Sequence, residues 1–332
     1  MASRLSPVND VVDYLLRSAI QPLLFPAEAT HRIYWLYLLS AAAMAIAFHL
    51  YRQRRRSLLG LKACLAHLVP KAVYAHRSAF LDYRFFYVNT ALLGLVLGPV
   101  VASSTVATAI ARAFGTPAAG QAGPLAMAAL TIALVVAMDL ALYIGHWLQH
   151  RIPLLWEFHK IHHSAEVLTP VTAFRAHPFD DLLNLTLSAF LTGVVQGLFY
   201  LGFGTGIVDA RILGVNALLF AWYLTGFNLR HSHIWIAYPR WLSHIVISPA
   251  QHQIHHSKAP CHFDKNMGFI FACWDALFGT LYVPREKEEL TYGLAGDEHL
   301  AFTSLRALYL RPFMRLWARY GRPFSIGRAA AR

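Results

Sequence analysis

Apolar residues run along this chain in blocks long enough to matter to a bilayer. A helix needs about 20 predominantly apolar residues to cross the hydrocarbon core, and residues 33–50, 85–113, 123–147, 182–203 and 207–227 approach or exceed that length. The last two runs, joined by a short glycine-containing turn, predict an antiparallel pair out and back. Ahead of them, residues 9–20 form a short amphipathic helix at best, an interfacial anchor rather than a signal peptide, because acids interrupt its apolar stretch. Arg52, Arg54, Arg55 and Arg56 follow the first run directly, which places that flank in the cytoplasm and the N-terminus outside. Counting crossings from there puts the segment after residue 150, residues 231–233, residues 252–256 and the tail all on the cytoplasmic side.

The expected fold is therefore an all-α integral membrane protein with about four to five transmembrane helices and a cytoplasmic helical cap. Its organisation divides as an interfacial segment (1–32), a first span with its basic loop (33–84), a catalytic region (85–283) and a basic amphipathic tail (284–332), the last kinked by Pro312.

Composition sharpens this picture. Of the 332 residues 57% are hydrophobic and only 14% charged, with a mean hydropathy of +0.43, which is a membrane composition. The net charge of +12 comes from arginines flanking apolar runs, so it points to headgroups rather than to nucleic acid. Three cysteines, Cys64, Cys261 and Cys273, lack CxxC spacing, which excludes a cysteine zinc site, an iron–sulfur cluster and a disulfide framework. No GxGxxG fingerprint or haem motif is present.

The chemistry sits in histidines. Five fall within the eighteen residues from His146 to His163, as HWLQH and HKIHH, and HQIHH at residues 252–256 repeats the spacing. Positions i, i+3 and i+4 share a helix face. His146 with His150, His159 with His162 and His163, and His252 with His255 and His256 thus aim their imidazoles together. Eight imidazoles exceed the shell of one tetrahedral ion, so two metal ions are implied; imidazole suits several transition metals alike. A metal at the bilayer edge is within reach of lipid C–H bonds, and iron with dioxygen fits that task. Asp139 lies in the third run, seven and eleven residues before His146 and His150, and an acid at that depth is expected to orient one of their rings by accepting a hydrogen bond.

The order HxxxH, HxxHH, HxxHH resembles the fatty acid hydroxylase superfamily, or sterol desaturase family, of membrane di-iron oxygenases. The strings DLALYIGHWLQH, LLWEFHKIHHSAEVLTPVTAFRAHP, SPAQHQIHHS and DKNMGFIFACWDALFGTLYVP agree with a bacterial-type member over roughly residues 75–295. The resemblance implies His146, His150, His159, His162, His163, His252, His255 and His256 as iron ligands. His177 and His231 follow as further ligands from the middle region, and His233 as an extra ligand or supporting group. Asp264, Asn266 and Asp275 match family positions as supporting or structural groups, while His244, His262 and His299 read as ordinary histidines. It further implies two irons, dioxygen as co-substrate, and electrons from a separate ferredoxin- or cytochrome-type donor with its reductase. The substrate is a lipid or sterol from the bilayer, oxidised on the cytoplasmic side of a bacterial inner membrane. The favoured reaction is hydroxylation of an acyl chain or of a headgroup such as that of an ornithine lipid, with sterol C-5 desaturation second. The rival of another class is a metal transporter; transporters hold ions near the midplane, whereas these histidines sit at helix ends.

Overall fold

A computed structural model describes residue 16 and residues 18–52, 61–97, 102–117 and 122–321. The expected anchor helix over residues 9–20 lies mostly outside these, as do Arg54 to Arg56 and the end of the tail. The described chain is mostly helical; its one sheet is the two-stranded hairpin of β1 (Arg211–Ile212) and β2 (Val215–Asn216). The principal helices are α1 (Trp35–Arg52), α2 (Arg77–Leu97), α3 (Ser103–Phe114), α4 (Pro124–Arg151), α5 (Pro153–His163), α6 (Pro178–Phe203), α7 (Ala217–Leu224), α8 (Pro249–His255), α9 (Cys273–Leu277) and α10 (Leu305–Tyr320).

Among the described residues two helices, α4 and α6, are long and apolar enough to cross a membrane by length and composition, where four to five were expected. At 1.5 Å per residue their 28 and 26 residues exceed the roughly 30 Å hydrocarbon core. They pack against each other, and α6 also packs against α3. Glycine permits the α3 contact: a Cβ on Gly193 would lie 2.7 Å from the Ser103 carbonyl oxygen, and one on Gly197 would lie 2.8 Å from Ile110 Cδ1.

The expected span over 207–227 is not a span. Leu213 and Gly214 take positive φ, 49° and 80°, and close the β1–β2 hairpin. Asp209 braces it by accepting from Arg211 Nε at 2.9 Å and Asn216 Nδ2 at 3.2 Å. What remains is α7, eight residues capped by the Asn216 side chain, about 12 Å long. Its rings Phe220 and Tyr223 pack on Tyr34 and Tyr37 beside α1. The run over 85–113 likewise divides, between α2 and α3. The tail helix α10 docks rather than floats: Leu308 packs with Phe85, Ile161 and Phe302, and Arg315 pairs with Glu157 at 3.0 Å and with Glu298. Trp317 and Met314 stay exposed on its other side.

Candidate metal centre

The end of the long helix α4, two shorter helices and one turn bring the histidines to one place. The end of α4 presents His146 and His150. Pro153, in the first turn of α5, restarts the chain so that His159, His162 and His163 face them. Helix α8 begins with a capping box, in which Ser248 Oγ accepts from Gln251 N at 3.2 Å and Gln251 Oε1 accepts from Ser248 N at 2.9 Å. The helix then delivers His252, His255 and His256. The 3-10 turn Phe227–His231 supplies His231.

These nine form two clusters: His146, His150, His159, His163 and His255 in one, and His162, His231, His252 and His256 in the other. Within each, the ligand-capable atoms all lie within 4.8 Å of one another. Neither HxxHH packet is a site by itself. Neighbouring residues on a helix point about 100° apart, so His162 and His163, with ring planes at 89°, serve different clusters, as do His255 and His256.

The donor set fits metal ions. In the first cluster His146 Nε2, His150 Nε2, His159 Nε2, His163 Nε2 and His255 Nε2 are buried without a hydrogen-bond partner, which is costly unless something binds them. In the second, His231 Nε2 lies 3.4, 3.1 and 3.0 Å from the Nε2 atoms of His162, His256 and His252. One imidazole nitrogen either donates or accepts, so it cannot satisfy three such neighbours. Four nitrogens about 2.0–2.1 Å from one ion at tetrahedral angles are spaced at roughly 3.3–3.4 Å, close to what these four adopt. Burial drives the pKa of His159, His163, His231, His252, His255 and His256 well below the usual imidazole range, and that of His162 to about 3. All seven are therefore neutral, which is the form that ligates.

The segment 264–275 stands behind the first cluster. His150 Nδ1 donates to Asp264 Oδ1 (3.1 Å), His255 Nδ1 to the Lys265 carbonyl (2.7 Å) and His146 Nδ1 to the Met267 carbonyl (2.8 Å). These bonds fix the tautomer that leaves Nε2 free. Asp264 and Asn266 both adopt φ of 56°. Asp275 accepts from Met267 N, Gly268 N and Thr280 Oγ1 at 2.8, 2.9 and 2.6 Å, while Asn266 ties the segment to the Gln251 carbonyl and to Tyr282 N.

Three expected roles change. Asp139 touches neither His146 nor His150; it is fully buried and accepts from Ile270 N (2.6 Å), Phe271 N (3.1 Å) and Trp274 Nε1 (2.9 Å). Seven residues of helix separate it from His146 by about 10.5 Å of rise, so a shared face does not bring them into contact. It anchors the segment that carries the Met267 carbonyl. His177 joins neither cluster: its Nδ1 caps α6 by accepting from Phe179 N at 3.2 Å, and its Nε2 faces the Tyr309 carbonyl. His233 also stands apart, with Nε2 2.7 Å from the His67 carbonyl and its ring near His67 and Tyr74.

Other residues contribute that the spacing rules passed over. Asp180, in the first turn of α6, places Oδ2 3.6 Å from His159 Nδ1. Arg230, buried and shifted down to about 10 by desolvation, donates through Nη2 to His252 Nδ1 (2.9 Å) and the Gly268 carbonyl (2.9 Å), and through Nη1 to the Phe269 carbonyl. Arg175 spans Asp82 Oδ1 (2.8 Å), Ser164 Oγ (2.8 Å) and the Ile161 carbonyl (3.0 Å), holding the end of α5 where His162 and His163 lie. The only sequence signal for these was a charge within or beside a histidine string, in HPFDD, LRHSH and FRAHP.

Residues 131–280, which contain both clusters and the 264–275 segment, match the fatty acid hydroxylase family. The chain is 28% identical over 203 residues to an ornithine lipid hydroxylase of Rhizobium tropici, covering 60% of this chain and 53% of that one. It is 27% identical over 179 residues to an alkylglycerol monooxygenase of Caenorhabditis elegans, 54% of this chain and 31% of the relative. The corresponding enzyme of Danio rerio is 28% identical over 164 residues, 48% and 31%. The chain thus spans about half the length of the first of these relatives and about a third of the other two. No solved structure matches it. Histidine order, cluster geometry and the match over residues 131–280 together support the resemblance of this chain to the fatty acid hydroxylase superfamily.

Proposed function

We propose that this protein is a membrane-bound, oxygen-dependent hydroxylase of a lipid, with one iron held by each histidine cluster and two electrons supplied by a separate redox partner. The observation that carries the reading is the convergence of nine imidazoles into a group of five and a group of four, with unpartnered buried nitrogens turned inward. Lipid substrates are named for all three relatives. Bound iron would supply the reductive activation of dioxygen needed to break an unactivated C–H bond.

The chain's own residues do the rest. His146, His150, His159, His163 and His255 hold one ion, and His162, His231, His252 and His256 the other. Asp264 and the Lys265 and Met267 carbonyls keep three of the rings in the ligating tautomer. Burial of the clusters excludes bulk water from the reacting centre. The histidine end of α4 is also the end at which α6 begins, so both spans present the site at one membrane face. The basic flank at Arg52 supports reading that face as cytoplasmic, where an acidic electron donor would meet basic surface. Residues 85–283 form the catalytic unit in this reading.

Purified full-length protein is expected to hold about two irons per chain, and lipid extracts from cells expressing it to gain species heavier by one oxygen. One tightly held zinc per chain, or lipid extracts unchanged in mass by the gene, would sink the proposal. A loss of two hydrogens in place of a gained oxygen would reassign the reaction to desaturation.

A further inference from the structure

Two cavities reach the histidines, and they share no lining residue. One, of about 130 Å³, lies against the long helices α4 and α6; it meets His146 and His159 of the five-histidine cluster and His162, His231 and His252 of the other. The second, of about 320 Å³, is lined by His150, His163 and His255. The five-histidine cluster therefore stands as a partition with rings turned to each side. The walls of the larger cavity come from the last turn of α4, from α5 and from loops that include Phe263, Asp264 and Gly293 to Ala295; no residue of α6 takes part. Phe263, 44% exposed, and Ala295, also exposed, stand at its rim. One cavity thus faces the bilayer-length helices, and the other faces surface loops.

Trp156 joins the second cavity to the metal-binding rings. It precedes His159 by three residues and His163 by seven, positions that share one face of α5, and the end of α4 brings His150 against the same indole. The ring centroids lie 5.1 Å from His150, 5.5 Å from His163 and 6.2 Å from His159. Among the described residues no other non-histidine ring is in aromatic contact with either cluster. The indole is half-buried, so it reaches from the cavity to the imidazoles. Its place is fixed: it packs on the apolar core that includes Ile161, Leu294 and Phe302. Lys160 Nζ, which donates to Glu157 at 2.9 Å and to Glu298 at 3.1 Å, lies 6.0 Å from its centroid. Beyond Trp156 the contacts continue, because His163 stacks on His256 of the four-histidine cluster at 4.9 Å with 28° between planes. A line of rings from Trp156 through His163 to His256 therefore links the cavity to both clusters.

An enzyme that takes electrons from a separate protein must admit them through a shell that excludes water, and tunnelling decays exponentially with the gap to be crossed. A conjugated ring in contact with the ligands shortens that gap where an aliphatic wall would not. We propose that Trp156 is the electron-entry residue. A one-electron carrier protein, iron–sulfur or haem in type, delivers at the mouth of the larger cavity, and the indole couples it to His150 and His163. The His163–His256 stack carries the coupling on to the four-histidine cluster. Each transfer oxidises one reduced carrier by one electron and reduces one ferric ion to ferrous, so two transfers supply both electrons. The indole forms and breaks no bond, carries no proton and is left unchanged. The assignment rests on the hydroxylase reading and specifies where its redox partner acts.

The test is flash photoreduction of the full-length chain in detergent. Ala295→Cys, with Cys64, Cys261 and Cys273 replaced by serine, carries a thiol-linked ruthenium polypyridyl complex at the cavity rim. After iron loading and metal analysis, a flash with a sacrificial donor reduces the complex, and its reoxidation reports electron injection into the bound iron. Trp156→Leu is expected to slow injection by about an order of magnitude, because removing the indole widens the gap by about the breadth of a ring, and Trp156→Phe to recover much of the rate. Iron content and the midpoint potential of the centre are expected to stay as in the parent chain. Unchanged injection in Trp156→Leu overturns the proposal. Slower injection accompanied by lost iron or a shifted potential also overturns it, since Trp156 then only packs the histidines. A chain that takes up no iron removes the hydroxylase reading and the entry route together. Injection that depends on Trp156 in a chain that adds no oxygen to lipid leaves the entry route standing and removes the hydroxylase reading alone.

Discussion

Behind three of the five imidazoles of one cluster stand a carboxylate and two main-chain carbonyls; behind His252 of the other stands a guanidinium. The two surroundings act in opposite senses on a bound cation. Acceptors at Nδ1 fix the proton there, raise the basicity of Nε2 and favour a dication. A donor at Nδ1 occupies that lone pair and leaves the proton of a neutral ring on Nε2, so His252 must give up or move that proton before it ligates, and the charge of Arg230 repels a cation nearby. The five-histidine cluster is thus the firmer site and the four-histidine cluster the weaker one, although both are built from the same packets. A chelator should accordingly remove the two ions in separate steps.

Removing donors is the strongest way to break this comparison. His231→Ala leaves three imidazoles in the weaker cluster, and bound metal is expected to fall from about two ions per chain to about one, with loss of turnover. His163→Ala leaves four in the firmer cluster and should retain both ions with lower affinity. Metal analysis after dialysis checks both, and equal losses would show that the clusters do not differ in strength.

Asp264→Asn sharpens the contrast without removing a ligand. The amide is a weaker acceptor for His150 Nδ1, so affinity in the firmer cluster is expected to drop roughly tenfold to a hundredfold. The weaker cluster should titrate as before. A parallel loss in both would mean that Asp264 holds the segment rather than tuning one ring.

Asp139→Asn is next in size and acts on both clusters, because the segment it anchors carries the Met267 carbonyl behind His146 and the Gly268 and Phe269 carbonyls that hold Arg230. An asparagine presents one donor to three donors, at a cost of about 1–3 kcal/mol. Thermal unfolding should begin at lower temperature, while saturating metal still loads both clusters. Unchanged thermal stability would show that the three hydrogen bonds to Asp139 contribute nothing. At the bottom of the scale, His177→Asn and His233→Asn should leave metal content unchanged. Asparagine is itself a favoured helix cap, so even α6 should keep its start. A lost ion in either variant would return that histidine to the ligand set.

The failure at Asp139 has a plain physical source. Helical periodicity gives direction around the axis but says nothing about reach along it, and Asp139 shares a face with His146 at about 10.5 Å of rise. At His177 a local competitor decided the outcome: the chain turns into α6 there, and the first free N–H groups of the helix claim the ring. The 207–227 run shows a third limit. Its apolarity alone resembled a span, but Leu213 and Gly214 at positive φ and the charge of Asp209 turned it into a hairpin and a short helix.

By itself the sequence determined that α4 and α6 are apolar helices long enough for a bilayer, and that His146, His150, HKIHH and HQIHH present imidazoles as groups. These follow from composition and from a period of 3.6, which are local properties. Tertiary structure decided how the packets divide. Neighbours such as His162 and His163 diverge on their helix, and only the facing helices determine which centre each ring joins. It also decided what stands behind the rings. Met267 lies 121 residues from His146, and Asp264 lies 114 from His150, separations at which no local spacing rule operates and only the folded path of the chain can bring donor to acceptor.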